Sequence, residues 1–131
     1  MNGYKPAKIL CIDDEPLGLS LRKALLEHAG YCVYAAGSGD EALRLFATES
    51  IDLVITDELL PGVTGSRLAM LMKLSHPEIP IVILSGLAEE PEYMGIADSF
   101  LCKGEPPPIL LATVARLVSG KTAASAECRG I

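Results

Sequence analysis

The chain has 131 residues, half of them hydrophobic, four cysteines and a formal net charge of −6. That length fits one domain, whose core can bury roughly two-thirds of the unfolded surface. The acidic balance disfavours direct nucleic-acid binding, which rests on clustered Lys and Arg, and every apolar run falls far short of the ~20 residues that a membrane-spanning helix needs.

The opening Met1-Asn2-Gly3-Tyr4-Lys5-Pro6 lacks the small-residue cleavage site of a signal peptide, so a cytoplasmic location is expected. Ile9–Ile12 is the first strand-like run and ends in Asp13-Asp14-Glu15. Leu17, Leu21, Leu25 and Leu26 then recur at helical spacing, which predicts an amphipathic helix closed by Gly30. Cys32–Ala35 reads as the second strand. Ser38, with Glu41 three residues on, reads as a capping box for a second helix, whose stripe is Ala42, Leu43, Leu45 and Phe46 with Arg44 and Glu49 left to solvent.

Ile51–Thr56 is the third strand, running into Asp57, and Leu68, Leu71, Met72 and Ser75 mark a third helix. Ile79–Leu84 is a fourth strand that leads to Ser85. Between Leu87 and Asp98 the chain is short, acidic and broken by Pro91, leaving room for a short or irregular fourth helix. Ser99–Cys102 is the fifth strand and leads to Lys103, after which Pro106-Pro107-Pro108 signals a last helix over Ile109–Val118. Residues 1–118 are expected to form the domain. Residues 119–131, with no apolar period, read as a flexible tail or the start of a linker. Cys11, Cys32, Cys102 and Cys128 lack metal-ligand spacing; the first three read as small core residues and the last as a tail thiol.

Strands apolar along their whole length are covered on both faces, the mark of a parallel sheet with helices on each side. The expected fold is therefore α/β, a doubly wound five-stranded parallel sheet. In such sheets functional groups gather beyond the carboxyl ends of the strands, and there stand Asp13, Asp14 and Glu15, then Asp57, Ser85 and Lys103.

Taken singly, each has a plain structural explanation: acids before Pro16 cap a helix, Ser85 before Gly86 makes a turn, and Lys103 is a solvated charge. Together at four strand ends they make a chemical set. Converging carboxylates need a neutralising cation, and oxygen ligands without Cys or His select Mg²⁺ or Mn²⁺. Asp57 then suits a carboxylate nucleophile that accepts a phosphoryl group, with Lys103 supplying positive charge and Ser85 a hydroxyl donor to its oxygens.

Ile12-Asp13-Asp14-Glu15-Pro16, Gly30-Tyr31, Ala36-x-Ser38-Gly39-x-Glu41-Ala42-Leu43, Asp57-x-x-Leu60-Pro61-Gly62-x-x-Gly65, Ser85-Gly86 and Lys103 fall in one order. By these residues the chain resembles the receiver domain of two-component response regulators from about Lys8 to Val118. The resemblance implies a strand order 2-1-3-4-5 and Asp57 as phosphoacceptor. It makes Asp14 a direct metal ligand, Asp13 a ligand through water and the Leu59 backbone carbonyl a further ligand. Lys103 and Ser85 would bind the phosphoryl oxygens, and Ser85 with Phe100 would form the switch. It also implies a histidine kinase or histidine phosphotransfer protein as donor, a downstream protein partner, and no catalysis beyond the domain's own phosphorylation and dephosphorylation.

Departures from the family pattern are informative. Gly104 replaces the proline that commonly follows the lysine, so a trans Lys103–Gly104 bond is expected. The Ser85-to-Lys103 segment is short. Glu58 adds negative charge beside the acceptor, and apolar Leu59 predicts slow loss of phosphate. Two other readings compete: a receiver-like protein-binding module that works without phosphorylation, and a phosphohydrolase of the haloacid-dehalogenase type. The second is disfavoured because Leu59 stands where that chemistry requires an acid. A flavodoxin-like cofactor site is disfavoured too, since no Ser/Thr/Gly-rich loop follows the first strand.

Overall fold

A computed structural model describes residues 5–86 and 94–128 of the chain. In chain order the elements are β1 (Lys8–Ile12), α1 (Pro16–His28), β2 (Cys32–Ala36), α2 (Gly39–Thr48), β3 (Leu53–Asp57), β4 (Leu59–Leu60), β5 (Val63–Thr64), α3 (Gly65–Ser75), β6 (Ile81–Ser85), a 3₁₀ turn at Met94–Ile96, β7 (Ser99–Cys102) and α4 (Pro107–Cys128). The main sheet is parallel, in the order β2-β1-β3-β6-β7. This is the expected doubly wound architecture. β4 and β5 form a small antiparallel hairpin that strand periodicity did not announce, two residues per strand being too short to show one.

Successive residues of a strand face opposite sides of the sheet, and they divide the core into two. Leu10, Ile12, Val54, Ile81 and Ile83 pack with Ala42, Phe46, Leu68 and Met72 of α2 and α3. Ile9, Cys11, Leu53, Ile55, Val82 and Leu84 pack on the other side with Leu26 of α1 and with Leu110 and Val114 of α4. β3 and β6 are buried throughout, as their unbroken apolar sequences require.

The local signals hold at the caps. Ser38 accepts a hydrogen bond from the Glu41 N–H, and Glu41 accepts from the Gly37 N–H at 2.9 Å. Gly30 follows α1 with φ +105°, a left-handed conformation suited to glycine. Lys73 ties the end of α3 to the sheet, its Nζ donating to Ile79 O and to Asp98 Oδ2 at 2.8 Å each.

The helix faces need correction. Leu17 and Leu21 are 65% and 63% exposed, and Leu26 is the buried leucine of α1, with Leu19 and Leu25 packed beside it. The helix is rotated so that Leu19, Arg22 and Leu26 line its inner side, which carries Arg22 to Asp13. Leu71 is likewise half-exposed, and Ala69 takes its place inside α3.

α4 continues past Val118 to Cys128. Ala123, Ala124 and Ala126 are strong helix formers, and a single Gly120 costs only about 1 kcal/mol against them. The predicted fourth helix falls mostly on residues 87–93, outside the described residues, and the part that is described is one 3₁₀ turn. The Lys103–Gly104 bond is trans. Among the described residues no helix is long and apolar enough to cross a membrane.

Candidate functional site

β1 and β3 are adjacent, and their register pairs Ile12 with Thr56, so Asp13 and Asp57 emerge side by side at one edge. Both are almost fully buried, whereas Asp14 is exposed. One carboxylate oxygen from each of Asp13, Asp14 and Asp57 can be chosen so that all three lie within 4.8 Å of one another.

Lys103 enters from the end of β7. Its backbone N–H donates to Ser85 O at 2.8 Å, continuing the β6–β7 ladder by one step. Its Nζ then reaches Asp57 Oδ2 at 2.9 Å and stands 3.7 Å from Asp13 Oδ2. A cleft of about 440 Å³ opens above these groups, lined by Asp13, Asp14, Asp57, Leu59 and Lys103 among others.

The electrostatics of the two buried acids diverge. Burial alone would raise the Asp13 pKa, but the Glu15 N–H, the Arg22 guanidinium and Lys103 outweigh it and hold Asp13 below its ordinary value. Asp57 is raised, by burial first and by the neighbouring Asp13 charge, with Lys103 offsetting only part. Burial works against the Lys103 charge, yet the bond to Asp57 and the charges of Asp57 and Asp13 raise its pKa.

The structure thus brings Asp13, Asp14, Asp57 and Lys103 together, with Leu59 at the rim. Ser85 closes β6, nearly buried and in register with Cys102. Phe100 lies opposite Ile83, half-buried against the core beneath α2 and α3.

Glu58 departs from expectation. Rather than adding charge beside Asp57, its carboxylate turns inward, buried, and accepts from Ser66 N at 3.0 Å and Ser66 Oγ at 2.7 Å. There it meets the positive end of α3, which favours the anion.

Gly65 stood in the sequence motif without an assigned role, and Arg22 escaped the sequence reading. Gly65 starts α3 directly against the Asp57 backbone, in a space no Cβ can share. Arg22 pairs with Asp13, its Nη1 3.2 Å from Oδ2. Its place midway between Leu19 and Leu26 on one helix face was the available signal.

The family model for the response regulator receiver domain matches residues 9–114. The chain belongs to the response regulator receiver domain family. Over 104 residues it is 35% identical to the transcriptional regulatory protein GlrR of Escherichia coli, covering 76% of this chain and 23% of GlrR, so it spans under a quarter of that relative's length. A response regulator receiver domain protein from Clostridium thermocellum superposes with a TM-score of 0.84 at 32% identity, covering 90% of this chain and 98% of that one. The response regulator TrrA of Thermotoga maritima, solved in complex with Mg²⁺-BeF, gives a TM-score of 0.79 at 30% identity over 85% of this chain and 98% of its own. As a receiver domain the chain is a signalling module of two-component systems.

Proposed function

We propose that Asp57 accepts a phosphoryl group from a histidine kinase or a histidine phosphotransfer protein, and that the modified domain then binds a downstream protein partner. The observation that carries this reading is the convergence of Lys103 and three carboxylates on the end of β3.

The residues present fit Mg²⁺ or Mn²⁺: three oxygen donors converge at one cleft with no Cys or His among them. TrrA, solved with Mg²⁺-BeF, supports a site of this kind. Asp14 would be the direct ligand, Asp13 would act through water, and Asp57 and the Leu59 carbonyl would complete the protein's share. When bound, the ion supplies positive charge to the transferring oxygens.

The chain's own residues do the rest. An Asp57 carboxylate oxygen attacks phosphorus as the phosphorus–nitrogen bond to the donor imidazole breaks, and the electron pair leaves with the imidazole. Lys103, already at Asp57 Oδ2, passes to a phosphoryl oxygen, where its compact charge suits the added negative charge. The Ser85 hydroxyl donates to a second phosphoryl oxygen. Movement of Ser85 toward that group makes room for Phe100 to turn inward, so the phosphoryl group biases a two-state element. Residues 1–118 form this unit, and residues 119–131 serve as a tail or the start of a linker. The net charge of −6 favours protein partners over nucleic acid.

Intact mass after incubation with Mg²⁺ and acetyl phosphate tests the reading. It expects a gain of one phosphoryl group that Asp57→Asn and a chelator each abolish. No gain, with either acetyl phosphate or a phosphorylated histidine phosphotransfer protein, overturns it in favour of a binding module that works without phosphorylation.

A further inference from the structure

Asp13 Oδ2 faces two cations at once: Arg22 Nη1 at 3.2 Å and Lys103 Nζ at 3.7 Å. Lys103 has a closer partner in Asp57 Oδ2 at 2.9 Å. Arg22 belongs to none of the roles assigned above, yet its side chain is only 14% exposed, and it arrives on the inner face of α1 between Leu19 and Leu26. Gly18, one turn earlier, keeps the approach open; a Cβ there would lie 3.1 Å from Glu15 Oε1 and 3.5 Å from Asp13 Oδ2.

We infer that Arg22 is a resident counter-cation of the acidic site, competing with the divalent ion for Asp13 and lowering the metal affinity of this domain. The inference rests on the proposed metal role of Asp13, Asp14 and Asp57.

A guanidinium does not lose its proton in proteins, so this charge is permanent. Being largely withdrawn from solvent, it is weakly screened, and it repels an ion that draws on the same carboxylate. Its removal acts twice in the same direction: the metal-free state loses compensation for a buried Asp13, and the metal-bound state loses a repulsion. The planar group gives up a defined hydrogen bond as the ion enters, so the two occupancies of Asp13 are coupled.

The test is direct titration with Mn²⁺, counting the free ion by electron paramagnetic resonance, with Mg²⁺ competition, on the intact chain. Arg22→Gln is expected to bind Mn²⁺ about five- to tenfold more tightly than wild type, an order-of-magnitude estimate for one unit charge near the ion. Arg22→Lys keeps the charge and stays near wild type. So does Lys23→Gln, which removes an outward-facing charge paired with Glu27.

Should Arg22→Gln fail to fold, the wild-type side chain reports instead: its guanidinium NMR signals shift in step with Mg²⁺ occupancy, and signals that stay still overturn the inference. A site weakened by Asp14→Asn, but left unchanged or weakened by Arg22→Gln, overturns the Arg22 inference alone. A wild-type chain with no site sensitive to Asp14→Asn overturns the metal assignment itself, and Arg22's part with it.

Discussion

Gly65 and Asp57 touch backbone to backbone: a Cβ on Gly65 would fall inside the van der Waals surface of the Asp57 carbonyl oxygen. α3 can start where it does because that atom is missing, and the start of α3 in turn fixes the end of β3. Gly65→Ala must move one of these main chains. Overpacking of this kind costs about 2 kcal/mol, so a lowered urea midpoint with an unchanged slope is expected. Gly104→Ala, with nothing within 4 Å of its added carbon, should leave the midpoint where it was.

Asp57→Asn is expected to stabilise the metal-free domain. Burial and the Asp13 charge raise the Asp57 pKa in the fold, so the folded state binds its proton more tightly than the unfolded chain. Stability is therefore fully present below the unfolded value and declines as pH rises through the folded one. At neutral pH the amide avoids that loss. Thermal melts in chelator should show a higher Tm for the variant near pH 7 and a narrowing gap on acidification, whereas a lower Tm at neutral pH would refute the claim.

Ser66→Ala removes the 2.7 Å bond to Glu58 and keeps the one from the Ser66 N–H. A cost of about 1 kcal/mol is expected. Glu58→Ala abolishes both bonds within a buried site and should cost about 2 kcal/mol. Since the two share a contact, the double variant should lose less than the two single losses added together. Chemical denaturation of all four proteins closes the cycle, and strict additivity would mean that the pair is energetically independent.

Burial pushes the Cys11 thiol up to about 12. A thiol with such a value is unreactive near pH 8, where only about one molecule in ten thousand carries the thiolate. Disulfide-exchange labelling should modify the half-buried Cys32 and Cys102 well before Cys11. The folded domain keeps the Cys11 proton while the unfolded chain gives it up near 9.0, so this contribution to stability is intact below that value and is lost as pH climbs toward 12.

Much of this was legible in the residues. Unbroken apolar strands announced a sheet covered on both faces, and the acids, Ser85 and Lys103 announced which edge carries chemistry, because strand ends are where that fold gathers polar groups. Helix faces were harder. The five leucines of α1 outnumber the positions its inner face holds, and the face that is buried carries Leu19 and Leu26 with Arg22 between them, paired to Asp13. Glu58 misled for a similar reason: its neighbour in sequence is Asp57, but its partner in space is Ser66, the second residue of a helix that starts at Gly65 against the Asp57 backbone. The persistence of α4 beyond Val118 was missed because hydrophobic period, not helix propensity, marked its end.

The position of β7 at the margin of the sheet divides the site by rigidity. Asp13 and Asp57 extend strands that are laddered on both sides, β1 between β2 and β3, and β3 between β1 and β6. Lys103 extends a strand bonded to β6 alone and half-buried along its length. Marginal strands peel in small openings, while interior ones part only when the whole domain does. Asp13 and Asp57 are thus mounted on interior strands and Lys103 on a marginal one, so backbone exchange is expected to be faster around Lys103 than around the two buried carboxylates.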